Sequence, residues 1–256
     1  MFDSEFLIAS VVCACVVGGA LLGLGLRAVL PEHHISEPSR QVVNVAIGLI
    51  ATLSALVLGL LVASAKSSFD ARNDEVKTSA AKLILLDRTL RQYGPETQPL
   101  RELVRKLTQR RIDHAWGNVD AGGILTTPED VTSAEQVRTR LFALAPATDA
   151  QRWQLTRALA ITAEVEQARW LAIEENRSSI PRPFLVVLVS WLTAIFASLG
   201  LFAPRNATVY AVLLVCALSV STAIFLILEM DRPFGGIIHI RSDAMRAALA
   251  HLGQSS

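Results

Sequence analysis

The stretch VVNVAIGLIATLSALVLGLLVASA, residues 42–65, runs for 24 positions without a charged side chain. At about 1.5 Å per residue a helix of this length crosses the roughly 30 Å hydrocarbon core of a bilayer. Three other tracts have the same character: Phe6–Leu26, Pro183–Pro204 and Asn206–Leu228, of 21, 22 and 23 residues. Four such tracts are incompatible with the buried helices of a soluble domain and read as four transmembrane helices. The charge is concentrated elsewhere, with 34 of the 47 charged residues between Lys66 and Arg182. Hydrophobic residues make up 52% and charged residues 18%, against about 25% charged in soluble domains. This composition excludes a purely soluble protein, a disordered chain and a secreted disulfide scaffold. A net charge of +1 gives no electrostatic footprint for nucleic acid.

The first tract is expected to stay in place as a membrane helix. Asp3 and Glu5 precede it where a secretory signal carries positive charge, and Cys13 lacks the context of a lipoprotein cleavage site. With four spans, the N-terminus, the central segment and the C-terminus share one side. That side carries Lys66, Arg72, Lys77, Arg169, Arg177, Arg182, Arg232 and Arg241 near the membrane, and the other carries Arg27, Arg40 and Arg205. Positive charge stays in the cytoplasm, so the expectation is a bacterial inner-membrane protein with the central domain and both termini inside.

The expected organisation is a first transmembrane hairpin over 1–66, a helical cytoplasmic domain over 67–181, a second hairpin over 182–229 and a cytoplasmic tail over 230–256. The fold class is all-α, with the helical domain inserted between the second and third spans. No proline interrupts Gln41–Tyr93, and Val76, Ala80, Leu83, Leu86, Leu90 and Tyr93 recur at helical spacing. The second span is therefore expected to continue into the cytoplasm until Gly94-Pro95 stops it. Further helices are expected over Pro99–Ala115, from Thr127-Pro128-Glu129-Asp130 to about Ala145, and from the capping box of Thr148 and Gln151 to before Pro181. Asn118–Thr126, with Gly122-Gly123, reads as a loop.

Few residues offer chemistry. Cys13, Cys15 and Cys216 lie within apolar spans, where thiols behave as small apolar side chains, and no cysteine is left for a zinc site. His33-His34, beside Glu32 and Glu37, read better as a polar loop than as a metal site. Arg105, Lys106, Arg110 and Arg111 alternate with Glu102 and Asp113 and read as a solvated face. Gly19 and Gly23 form a GxxxG helix contact, and Ala51, Ala55, Gly59 and Ala63 form a second small-residue seam, favouring close packing over a pore. No phosphate loop, nucleophile elbow, HExxH motif or paired intramembrane carboxylate occurs. No enzyme activity, cofactor or metal is expected, and the lack of ionisable groups mid-span argues against a proton-coupled transporter.

Several stretches form one series: Leu30-Pro31-Glu32-His33-His34, Gly48-Leu49-Ile50-Ala51-Thr52, Ala55 to Leu61, Ala65-Lys66, Phe69-Asp70, Leu86-Asp87-Arg88, Tyr93-Gly94-Pro95-Glu96 and Asp231-Arg232-Pro233-Phe234-Gly235-Gly236. In these the chain resembles the bacterial bestrophin-like membrane proteins, a group long labelled a domain of unknown function and distantly similar to bestrophins. The resemblance implies a homo-oligomer, a pentamer in bestrophins, that conducts small anions with the second helix lining the pore. The acids that bind calcium after the last span of bestrophins are reduced here to Glu229 and Asp231, and the bulky pore neck is replaced by small and aliphatic residues. On a pore-lining second helix, spacings of three and four place Asn44, Gly48, Ala51, Ala55, Gly59 and Val62 near one face. Lys66 follows one step further and would form a positive ring at the cytoplasmic mouth. The competing expectation is a membrane-anchored interaction or stress-response scaffold that does not conduct.

Overall fold

The computed structural model describes residues 3–29, 37–117, 128–175, 182–204 and 206–252. The described chain is all-α. In order come α1 (Asp3–Val29), α2 (Glu37–Tyr93), α3 (Gln98–Gly117), α4 (Pro128–Phe142), α5 (Asp149–Glu175), α6 (Arg182–Phe202), α7 (Ala207–Met230) and α8 (Asp243–Leu252). Four of them, α1, α2, α6 and α7, are long and apolar enough to cross a membrane. Helix α2 runs unbroken through 66–76, as the absence of proline and the continuous apolar repeat predict. His33-His34, the Asn118–Thr126 loop and the segment before Pro181 lie outside the described residues.

Contacts divide the chain into two compact units, Met1–Ser68 with Ser179–Asp231, and Phe69–Ser178 with Arg232–Ser256. The first unit is built on α1 and α6. Cβ atoms added at Gly23 and Gly200 would overlap the backbone carbonyls of Ala197 and Ala20, and one at Gly19 would sit 2.7 Å from the Thr193 carbonyl oxygen. The glycines therefore let two helix backbones touch, as the GxxxG reading of α1 predicts. The contacts step upward together, Gly19 with Thr193 and Gly23 with Ala197, so α1 and α6 run parallel. Val12, Val16, Leu188, Leu192 and Phe196 fill the space between them, joined by Ala217, Ile224 and Ile227 of α7 and by Leu61 and Ala65 of α2. Hydroxyls within the spans are satisfied locally. Thr52, Ser54, Thr193, Ser219, Ser221 and Thr222 each donate to the carbonyl four residues back, at 2.8–2.9 Å. Asn206 opens α7, its Oδ1 accepting from the Val209 N–H at 2.9 Å.

The second unit packs the rest of α2 with α3, α4, α5 and α8. Leu86, Leu90, Leu100, Val104, Leu141, Ala158 and Ile161 form one buried cluster, and Val76, Ala80, Ile112, Ile240, Met245 and Ala248 another. Thr148 and Gln151 open α5 as expected. The Gln151 N–H donates to Thr148 Oγ1 at 3.2 Å, while Gln151 Oε1 accepts from the Ala147 N–H at 2.8 Å, one residue before the usual partner. One expectation needs correction. Helix α4 stops at Phe142 rather than near Ala145. Its end tightens through a bond from the Leu144 N–H to the Leu141 carbonyl at 3.2 Å, and Pro146 disfavours helix at Ala145. The tail after 230 contains α8, whose Met245, Ala248 and Leu252 are buried at helical spacing.

The two kinds of glycine in α1 predict opposite responses. Gly25 has nothing near its notional Cβ, so Gly25→Ala should gain up to about 1 kcal/mol from helix propensity. Gly23→Ala should lose about 1–3 kcal/mol through overpacking. Thermal unfolding of the detergent-solubilised protein, followed by circular dichroism, checks this; equal midpoints for the two variants would remove the close crossing.

Candidate functional site

Helix α2 is the least covered of the four long apolar helices. Only 11% of its apolar window is buried, against 22–28% in the other three. Ser54, Leu61 and Ala65 face the core of the first unit, with Ile47, Val57 and Leu58 partly buried beside them. The rest of the perimeter is open and has two chemistries. Val45, Leu49, Leu56 and Leu60 present a ridge of large aliphatic side chains, each more than 60% exposed. Between that ridge and the packed side lies the face carrying Asn44, Gly48, Ala51, Ala55, Gly59, Val62 and Lys66. All are exposed except Ala51, which is half-buried.

The seven residues therefore share one face of one helix, and among the described residues little covers that face between Asn44 and Val62. Nothing lies within 4 Å of a Cβ added at Gly48 or Gly59. This differs from Gly19, Gly23 and Gly200, where a neighbouring backbone occupies the space. The close packing favoured for the small-residue seam of α2 is not found within the described chain. Asn44 is equally distinct from the hydroxyls of the spans. Its amide makes no hydrogen bond among the described residues, whereas a threonine or serine folds back on its own helix. An amide facing hydrocarbon without a partner would cost several kcal/mol.

The stretch Leu86-Asp87-Arg88 through Glu96 builds the corner between α2 and α3. Asp87, 3% exposed, accepts from Arg101 Nε at 2.7 Å and Nη2 at 3.3 Å, a fork across the corner. Arg91 Nη2 adds a bond to the same carboxylate at 3.2 Å. Gly94 has φ 148° and ψ 173°, a region essentially restricted to glycine. Its conformation ends α2 and starts the single 3₁₀ turn Pro95–Thr97. Thr97 is fully buried and its hydroxyl lies 2.6 Å from the Leu90 carbonyl oxygen and 2.8 Å from that of Gly94. Burial pushes the Tyr93 hydroxyl above its usual pKa, and nearby Glu96 adds to the shift.

The stretch after α7 is likewise structural. Phe234 meets Trp116 edge-on at 5.5 Å between ring centroids, and Trp116 Nε1 donates to the Ile240 carbonyl at 2.8 Å. The Ile240 N–H returns to the Pro233 carbonyl at 2.6 Å, and Gly236 turns the chain at φ 80°. These residues pack the second unit and carry no constellation for catalysis. Among the described residues no group of three or more His, Cys, Asp or Glu side chains is placed to hold a metal.

Comparison with known families agrees with the resemblance that these stretches carry. The family model described as the bestrophin-like domain matches residues 14–245, most of the 256-residue chain. The chain belongs to the bestrophin-like family. No curated protein and no solved structure matches it.

The α2–α3 corner gives a test of the structural role of its motif. Asp87→Ala leaves the nearly buried Arg101, whose side chain is 11% exposed, without its carboxylate and should cost about 3 kcal/mol. Arg91→Ala, at a side chain 41% exposed, should cost less than about 1 kcal/mol. Hydrogen-exchange protection of the α3 amides reports both, and equal losses would refute the buried fork as the organising contact.

Proposed function

We propose that this member of the bestrophin-like family is an oligomeric anion channel of the bacterial inner membrane, with α2 lining the pore, and not an enzyme. The observation that carries this reading is the open glycine face of α2. Glycine inside a helix costs about 1 kcal/mol relative to alanine. At Gly19, Gly23 and Gly200 that cost is offset by backbone contact. At Gly48 and Gly59 of α2 no contact among the described residues offsets it, and on this reading the compensation comes from a second copy of the chain.

A ring of copies with α2 innermost meets this requirement. Small side chains leave room on the axis, and the exposed Asn44 amide meets water instead of lipid. Lys66, repeated around the ring, raises the local concentration of anions at one mouth. The aliphatic ridge of α2 then meets lipid or a neighbouring copy, where large apolar side chains are at no disadvantage. The distribution of Lys and Arg places the Lys66 mouth, both termini and the segment 67–181 in the cytoplasm. The parallel course of α1 and α6 supports an odd number of crossings between them, which α2 alone supplies.

Ion flux through liposomes containing the purified protein tests the proposal. Lys66→Glu should shift the reversal potential in a salt gradient toward cation preference. Unchanged selectivity in a conducting variant would leave Lys66 as a headgroup anchor. A monomer in detergent, or no flux where a known channel conducts, would instead favour the membrane-anchored scaffold.

Orientation is tested separately. A cysteine introduced into the Asn118–Thr126 loop, with Cys13, Cys15 and Cys216 replaced, should resist impermeant thiol reagents in intact cells. Labelling from outside would put the segment 67–181 in the periplasm.

A further inference from the structure

Two arginines converge on the C-terminal end of α6. Arg27, in the last turn of α1, donates through Nη1 to the carbonyl of Ala203. Arg40, in the first turns of α2, lies over the ring of Phe202 with Cζ 5.9 Å from its centroid. Consecutive residues of one helix end thus hold two guanidinium groups. Among the described residues neither pairs with a carboxylate. Each guanidinium has five N–H donors; Arg27 commits one to Ala203, and Arg40 offers the ring its face.

The position of Arg40 on α2 gives this pair a function. Arg40, Asn44 and Gly48 are spaced by four, so Arg40 continues the open face at the end opposite Lys66. We propose that Arg27 and Arg40 form a binding site for small inorganic anions at that mouth. The two positive charges, whose planar forks keep donors unspent among the described residues, suit a halide or small oxyanion exchanged from water. Phe202 holds the Arg40 guanidinium by its face and leaves its N–H edge available. Arg27, anchored on the Ala203 carbonyl just past α6, gains from the negative end of that helix. The use of this site as the entry to a conduction path rests on the pore reading; the binding itself does not.

The test is chloride titration of the purified protein in neutral detergent, with gluconate replacing chloride at constant ionic strength. Chloride should raise the unfolding midpoint by about 2–4 °C. Arg40→Gln and Arg27→Gln should each abolish most of that shift, while Lys66→Gln retains it. A shift unchanged in both arginine variants overturns the site. Stabilisation by phosphatidylglycerol in phosphatidylcholine nanodiscs, with no response to chloride, also overturns it and makes the arginines headgroup anchors. Flux separates the two proposals. A chloride-dependent midpoint in a protein that does not conduct keeps the site and removes the pore. In a conducting protein, Arg40→Gln should lower chloride conductance several-fold at 10 mM salt and little at 1 M, where the Debye length falls from about 30 Å to about 3 Å.

Discussion

The backbone contact between α1 and α6 is the constraint from which the membrane unit follows. Three glycines, Gly19, Gly23 and Gly200, bring two helix backbones together, and a pair so close leaves little width for a third helix between them. The remaining spans pack around it: α7 through Ala217, Ile224 and Ile227, and α2 through a narrow strip ending at Leu61 and Ala65. Helix–helix association in lipid gains little from hydrophobicity and much from close packing. The tight pair therefore holds the unit together, and α2, attached along one strip, keeps most of its perimeter for contacts beyond the chain.

Residues in and beside the stretches that carry the family resemblance divide into two groups. Asp87, Gly94 and Thr97 shape a corner, and Pro233, Phe234 and Gly236 close a turn onto Trp116 and Ile240. Each acts through a contact found inside the second unit. Asn44, Gly48 and Gly59 have no such contact among the described residues. A glycine that touches a backbone is accounted for by the fold. On the proposed reading, the open glycines of α2 are accounted for by the assembly.

The membrane helices were legible because hydropathy over 20 residues is a strong signal with few competitors. The continuity of α2 was legible for a similar reason, since proline and glycine are the only strong local breaks and none occurs between Gly59 and Gly94. What the sequence hid was tertiary. The repeats Gly19–Gly23 and Ala51–Ala55–Gly59–Ala63 look alike as spacing, yet one is filled by a neighbouring helix and the other stands open along much of its length. Asp87 and Arg101, 14 positions apart, meet only because Gly94 turns the chain. Helix α8 had a readable apolar repeat at Met245, Ala248 and Leu252, but ten residues after a glycine pair give a weak signal beside four membrane spans. The arginine pair was visible only as two charges outside the spans.

Passive permeation fits the chemistry of the α2 face better than coupled transport does. A coupled carrier holds its ion tightly enough to trigger a conformational change and usually does so with an ionisable group near the bilayer midplane. The α2 face offers only an amide, helix backbone and small apolar side chains between Arg40 and Lys66, with the one span carboxylate, Glu229, lying at the end of α7. On the proposed reading, fixed charge at both ends attracts anions, and its absence between them leaves no deep well in which an anion would be trapped. Conduction needs binding favourable enough for entry and weak enough for exit. On the proposed reading, the placement of charge at the ends and small residues between them satisfies both requirements at once.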